Sequence, residues 1–547
     1  MDADATPLMR ACKGLAFALL FALSFSFRAG ELRIEIGGVA GWLALFPFAA
    51  MIAGLRPWRA FVWATGFGTL GFCAVLFWLY VAVHEHGGAP AWIGVGAVLL
   101  MSFACALHQG LAASAVAALQ PVAGRAALGV LPAAWVVSEH LRSFDIFSGF
   151  PWAYLGYAVH GDGPALALAS VGGVYGLSFV LAGVGGLLQQ RKWVAAAGCV
   201  AALHAIGFAL GLAPVRESDL RVGVIQANIP QGQKWDRERV YEAFGQHVEL
   251  SRLIAAANDL DLILWPETAV PILLEHDREA AETVAAVARD TSATLVLGGI
   301  GTRAPTADEP ARFYNSAFAI GPDGEFSDRY DKSVLVPFGE YVPLRSVLGA
   351  VSALAVSQAG MSDMTAGAGA RPLRGLPFDR DHAVAALICY EVIYPSVVRQ
   401  SVQRGARILV NLTNDAWYGR TSAPHQFLAM AAMRSAEHGV PMLRAANTGI
   451  SAIVDARGLV QEQTEIFERR ALAAVVPGAR AGSTLYTRFG DWVVWGSWTL
   501  LLALGGRHIV RSNVGGSGDS RRVEGSGPAV RGTPEASLTS TPSGTAS

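Results

Sequence analysis

The sequence predicts a helical membrane domain that leads into an α/β layered domain, followed by one returning membrane helix. Three observations carry this. The 547 residues are 52% hydrophobic and only 16% charged, with a mean hydropathy of +0.38, whereas an ordinary globular protein carries about 25% charge. The charges are sparse up to about Pro214, frequent from Arg216 to Arg480, then sparse again. From Leu220 the texture changes to short β-rich runs separated by helical patterns.

A helix needs about 20 apolar residues to cross the hydrocarbon core. Candidate spans are 13–27, 38–55, 59–83, 90–119, 124–141, 165–189, 192–212 and, far downstream, 491–506. Arg10 and Lys13 before the first apolar run resemble a signal peptide, but no small-residue cleavage site follows and further spans do, so it reads as a retained helix. With the N-terminus inside, the inner segments hold Arg10, Lys13, Arg56, Arg59, Arg125, Arg191, Lys192, Arg507 and Arg511. The outer short loops hold only Arg28, Arg33 and Arg142. The positive-inside bias thus sets the middle segment on the outer face after seven spans, with an eighth returning the chain. The expected division is 1–214 membrane domain, 215–485 α/β domain, 486–510 last span and 511–547 a cytoplasmic tail. That tail is rich in Gly, Ser, Thr and Pro and reads as disordered.

In the middle segment the candidate strands are "RVGVIQANI", "LDLILWPE", "ATLVLGGI", "YNSAFAIG", "AVAALICY", "ARILVNLTN" and "SAIVDARG". Between them "DRERVYEAFGQHVELSRLIAAA" and "DREAAETVAAVARD" have helical periodicity. Near-continuous apolar strands alternating with helices predict sheets covered by helices. No phosphate-cradling GxxxxGK[ST] or GxGxxG after a strand occurs. A formal net charge of −1 gives no reason to expect nucleic acid as a partner. Five cysteines without a CxxC indicate neither a disulfide framework nor zinc, and "HEH" at 84–86 has no further ligands beside it.

Four of the cysteines sit in or beside apolar runs; Cys389 alone ends a strand of the α/β domain. "LILWPETAVP" delivers Glu267 after a strand, with Pro266 stopping the ladder, and "YDKSVLVPFGEYVPL" carries Lys332 and Glu340. A cysteine nucleophile, a carboxylate to take its proton and an ammonium to hold developing negative charge suffice for acyl transfer through a thioester. Taken singly, Cys389 reads as a buried strand cysteine, Glu267 as a solvated carboxylate and Lys332 as a surface charge. Spacing does not say whether the three converge. From Pro343 to Leu373, an apolar run followed by Gly, Ala, Ser and Met reads either as a core helix or as an apolar lid resting on the membrane.

"LWPE", "YDKSVLVPFGEYVP" and "ICYE", in that order, resemble the nitrilase superfamily. "QANIPQGQKW", "NLTNDAWYG", "GFPWAYLGY" and "TRFGDW" narrow the resemblance to its membrane-embedded branch, the apolipoprotein N-acyltransferase family of the bacterial inner membrane. The resemblance implies a nitrilase-like αββα sandwich inserted between seven N-terminal helices and one C-terminal helix. It implies Glu267 as general base, Cys389 as nucleophile and Lys332 as the group that stabilises the oxyanion. Glu340 then supports the active site, and Trp235, Tyr390 and Glu391 match positions the family needs; Glu391 shares the face of Cys389 only if the strand continues. Asn315 and Asn414 read as site-lining or turn residues. The implied reaction moves an acyl chain from a phospholipid, typically phosphatidylethanolamine, to the α-amine of a diacylglyceryl-cysteine apolipoprotein. No metal or cofactor is implied, and the implied setting is the inner membrane with the catalytic domain periplasmic. Two other readings stay open: a membrane-anchored amidase acting on a small amide, and a transporter or scaffold with an inert domain.

Overall fold

The computed structural model describes residues 6–519 apart from 145–148, 235–239, 306–309, 342–363 and 379–381. Helices occupy every predicted span: Pro7–Leu23, Gly37–Ile52, Pro57–Val75, Ala91–Leu119, Ala127–Leu141, Ala169–Gln189, Trp193–Gly211 and Trp492–Asp519. Among the described residues, Ala91–Val122, Ala169–Gln189, Trp193–Gly211 and Trp492–Val510 are each long and apolar enough to cross a membrane. Pro57–Val75 with Trp78–His86, bent by 60° at a break, makes a fifth. The helices Pro7–Leu23, Gly37–Ile52 and Ala127–Leu141 have 17, 16 and 15 residues. At about 1.5 Å per residue they fall short of the ~30 Å hydrocarbon core. Prolines inside two of them, Pro47 and Pro132, each remove a ladder hydrogen bond. The last helix continues to Asp519, past the boundary at 510 expected from composition, and the rest of the expected tail lies outside the described residues.

Between the first two of these helices a small hairpin forms from β1 (Phe27–Ala29) and β2 (Leu32–Ile34), which sequence reading treated as loop. The α/β domain then builds two sheets. One has six strands in the order β13-β3-β4-β5-β6-β7: β3 Arg221–Gln226, β4 Leu262–Leu264, β5 Thr294–Arg303, β6 Arg312–Ile320, β7 Phe326–Asp331 and β13 Arg470–Val475. The other has five in the order β12-β11-β10-β9-β8: β8 Val384–Ile388, β9 Ile408–Thr413, β10 Met442–Ala446, β11 Ala452–Val454 and β12 Val460–Gln463. β3, β4 and β5 run parallel, as do β8, β9 and β10, and these strands are buried on both faces. That explains their unbroken apolar texture.

The inner faces of the sheets pack on one another through Val222, Val224, Leu264 and Val296 from one side and Ala386, Ile388, Val410 and Leu412 from the other. Helices Val240–Ala257 and Arg278–Thr291 cover the outer face of the six-stranded sheet with Phe244, Val248, Val284 and Val287. Helices Pro395–Gln403 and Ala423–His438 pack against the five-stranded sheet, giving an αββα sandwich. Every residue of Ala423–His438 is buried, because its other side lies on the membrane helix Ala169–Gln189. β7, β10, β12 and β13 are strands that the sequence pattern did not predict.

Candidate active site

Cys389, Glu267 and Lys332 converge from three separate strand ends. β8 stops at Ile388, and Cys389 opens a 3-10 turn over Cys389–Ile393 with φ +49°. A left-handed conformation at a non-glycine residue costs on the order of 1–3 kcal/mol and is held only by its surroundings. Here Asn411 Nδ2 donates to the carbonyls of Leu387 (3.1 Å) and Cys389 (3.3 Å), holding the turn against β9. Glu267 follows β4 through Trp265 and Pro266, and Lys332 follows β7 directly, its N–H donating to Asn315 O at 2.8 Å. The three are 8%, 7% and 1% exposed, so Cys389 is buried as its strand position suggested, while Glu267 and Lys332 are not the surface groups that theirs did.

Lys332 Nζ lies 3.5 Å from Glu267 Oε1 and 2.9 Å from Glu340 Oε2. Asn315 Nδ2 bridges the same two carboxylates, donating to Glu267 Oε1 at 2.8 Å and Glu340 Oε1 at 2.7 Å. Glu267 Oε2 accepts from the backbone N–H of Asn414 at 2.9 Å, and Glu340 Oε2 from that of Val336 at 2.8 Å. Burial lowers the Lys332 pKa, but the Glu340 and Glu267 carboxylates outweigh it and hold the ammonium protonated. Burial pushes the Cys389 thiol well above its ordinary value; Glu267 adds to this, while Lys332 and a hydrogen bond with Thr413 oppose it. At neutral pH the resting state is therefore a thiol beside a carboxylate, with an ammonium to meet negative charge.

Glu391 does not share the face of Cys389, because the strand has already ended. Its Oε1 accepts from Ser333 N (2.6 Å), Ser333 Oγ (2.7 Å), Tyr330 Oη (2.7 Å) and Val334 N (3.3 Å), and its Oε2 from Ile388 N (2.8 Å). It ties the segment carrying Lys332 to the turn carrying Cys389. Tyr390 and Tyr394 reach the membrane domain, their hydroxyls donating to Gly149 O at 3.4 and 2.9 Å. Trp235 lies outside the described residues, as does most of the expected lid, 342–363.

Behind Cys389 runs a buried polar network of which sequence reading had named only Asn414. Arg444 Nη2 pairs with Asp415 Oδ2 at 2.6 Å, and its Nη1 donates to Asn411 Oδ1. Thr413 Oγ1 donates to Asp415 Oδ1 at 2.8 Å. Asn447 Nδ2 donates to Asn414 Oδ1 at 3.0 Å, and Asn414 Nδ2 to Gln231 Oε1 at 2.8 Å. The "NLTND" run contained the signal for four of these side chains; Arg444 sits mid-strand in β10, where nothing in the local pattern announces it.

The sequence profile described as carbon-nitrogen hydrolase matches residues 221–484, and that described as apolipoprotein N-acyltransferase N-terminal domain matches residues 17–187. An apolipoprotein N-acyltransferase of Geobacter metallireducens is 33% identical over 509 residues, covering 90% of this chain and 94% of its own length. The chain belongs to the apolipoprotein N-acyltransferase family. Another relative with that name, from Ralstonia nicotianae, is 34% identical over 84% of this chain and 88% of its own. A solved structure, the carbon-nitrogen hydrolase from Helicobacter pylori G27, aligns with 52% of this chain and 94% of its own at 16% identity and a TM-score of 0.36. Family membership accounts for the joining of the two parts: a nitrilase-like α/β domain on a helical membrane domain.

Proposed function

We propose that this apolipoprotein N-acyltransferase takes an acyl chain from a phospholipid onto Cys389 and passes it to the α-amine of a diacylglyceryl-cysteine apolipoprotein. The observation that carries the reading is the meeting of Glu267, Lys332 and Cys389, with Asn315 and Glu340 holding the carboxylate and the ammonium in place. As the Cys389 sulfur attacks the ester carbonyl, Glu267 takes the thiol proton and the Lys332 ammonium stabilises the oxyanion. Collapse breaks the C–O bond, and the proton from Glu267 goes to the departing lysophospholipid oxygen. In the second half the lipoprotein amine attacks the thioester and loses a proton to Glu267. The C–S bond then breaks and the thiol is restored. A bilayer confines donor, acceptor and site to one plane, which raises their effective concentration.

The same reading puts seven spans before the α/β domain and one after it, with residues 215–485 periplasmic, 486–510 as the last span and the remaining residues cytoplasmic. Three contacts support that orientation, because Arg28 and Trp152 fall in predicted outer loops and Trp78 lies towards the outer end of the predicted span 59–83. Arg28 N donates to Ser422 Oγ at 2.9 Å, Trp78 packs edge-on to Tyr418, and Trp152 Nε1 donates to Gln426 Oε1 at 2.8 Å.

The decisive experiment is mass spectrometry of purified protein after incubation with phosphatidylethanolamine. An acyl adduct on Cys389, discharged by an apolipoprotein amine in preference to water, is expected; discharge to water alone would indicate an amidase. Cys389→Ala should abolish transfer, and Glu267→Gln should slow it by about 10²–10⁴-fold, the range a general base contributes. Appreciable transfer by Cys389→Ala would sink the mechanism.

A further inference from the structure

At the other end of the five-stranded sheet lies a cavity of about 550 Å³, lined by Arg216, Arg407, Arg480 and Arg488. Among its described lining residues the one acidic side chain is Glu217. His382 and Ile408, at the starts of the β8 and β9 region, also line it, whereas Cys389 follows the far end of β8. At about 3.3 Å per strand residue, cavity and nucleophile stand roughly 20 Å apart.

The cavity occupies the place where the chain passes twice between the two domains. Arg216 comes just after the helix ending at Gly211, and its N–H donates to Ala479 O at 2.8 Å; Arg488 comes just before the helix starting at Trp492. Leu212, Val215, Leu485 and Phe489 on these crossings are exposed apolar residues, as expected where chain meets the apolar layer of a membrane. On the proposed topology, this sets the guanidinium groups at headgroup level.

Two of the lining side chains are short of partners. Arg480 Nε and Nη2 are buried with no hydrogen-bond acceptor among the described residues, and so is His438 Nε2. Burial and the neighbouring Arg457 draw the Arg480 pKa below its ordinary value, with Asp455 opposing. The Arg480 stem is seated by Gly439, whose φ is +67°; a Cβ there would stand 2.8 Å from Arg480 Cδ. Buried N–H groups of a cation that lack an acceptor are costly unless something anionic completes them.

We propose that this cavity is a phosphate site, filled by the headgroup of a phospholipid from the leaflet that faces the α/β domain. Arginine forks match phosphate oxygens two at a time, and basic side chains at a membrane surface recruit anionic lipid. The bound lipid would anchor the neck between the domains, separately from the donor that reaches Cys389.

The test uses the full chain in phosphate-free detergent, titrated with phosphatidylglycerol and read by native mass spectrometry. One retained lipid is expected, with retention weakened tenfold or more by Arg480→Gln and by Arg407→Gln and unchanged by Cys389→Ala. Arg407 makes the test robust if Arg480→Gln misfolds, since among the described residues its side chain bonds only its neighbour Ala406 O, at 3.3 Å. Arg480→Lys should restore retention in part, keeping the charge without the fork. A parallel arm adds inorganic phosphate alone: displacement of the lipid only at a large molar excess supports the headgroup assignment. Equal competition by free phosphate would overturn the lipid source, and retention unchanged in both arginine variants would overturn the site.

Discussion

The Cys389 thiol is buried, and burial together with Glu267 raises its pKa, so free ionisation contributes little at neutral pH. An ordinary cysteine gains thiolate up to a pKa near ~8.5 and then levels off. Because Cys389 is pushed above that range, its proton must leave during attack, to the Glu267 side chain beside it. The rate of acyl-enzyme formation should accordingly be flat between about pH 7 and 9, measured by quenched mass spectrometry of the adduct. An inflection near ~8.5 would mean that an unperturbed thiolate does the work, and the base role of Glu267 would fall. The motifs located Glu267, Lys332, Glu340 and Cys389 in the sequence, yet they did not tell that Asn315 would bridge both carboxylates. That bridge depends on β6 and β7 being paired, and β7 reads as charged loop in "FSDRYD".

The strands deliver these side chains, and their spacing leaves little tolerance. In β5, a Cβ on Gly298 would stand 2.5 Å from Thr268 N and 2.6 Å from both Glu267 Cα and Pro266 O. The adjacent strand end must then give way, at a cost of about 1–3 kcal/mol of overpacking. A displacement of even 1 Å at a catalytic group can cost about 10²-fold. Gly298→Ala should therefore lower kcat by about that much with little change in KM, while the protein still folds; unchanged kcat would show that the backbone absorbs the methyl group. Glu391 provides a second element-level link, with five donors converging on one carboxylate. Glu391→Ala would strand those donors in a buried place, each worth about 1–3 kcal/mol of desolvation. Acyl-enzyme formation and thermal stability should fall together in this variant, and loss of neither would refute the tie.

Between the two domains, helix Ala423–His438 acts as the shared wall. It carries a fully buried Arg434–Glu437 pair at 3.1 Å, and Glu437 Oε1 also accepts from the membrane-domain residue Val174 at 2.8 Å. Arg434 Nη2 lies 3.2 Å from Tyr157 Oη. Removing one partner of such a pair leaves a buried charge and typically costs about 3–5 kcal/mol. Glu437→Ala should thus lower the thermal midpoint in detergent far more than the double change Arg434→Met with Glu437→Leu. Equal losses would mean that the pair is not what joins the domains. The orientation is tested independently by reporters: one after Arg216 should be active only outside, and one after Arg511 only in the cytoplasm.

Composition was enough to separate membrane from α/β residues, since lipid excludes charge and no tertiary contact is needed to see where charge is missing. Unbroken apolar runs in β3, β5, β8 and β9 likewise announced sheets covered by helices, because both faces of such strands are buried. Short-range motifs pointed to the residues proposed to react for the same reason: their chemistry is local to a few positions. Folding alone set the remainder. Whether Cys389 continued its strand depended on a turn held by Asn411 from another strand. Whether Glu391 faced the site depended on where β8 stopped. Arg444 became a buried cation only because Asp415 and Asn411 arrive beside it from β9 and the turn that follows. These outcomes rest on long-range pairing, in which partners dozens of residues away fix the conformation, and no local pattern encodes such a partner.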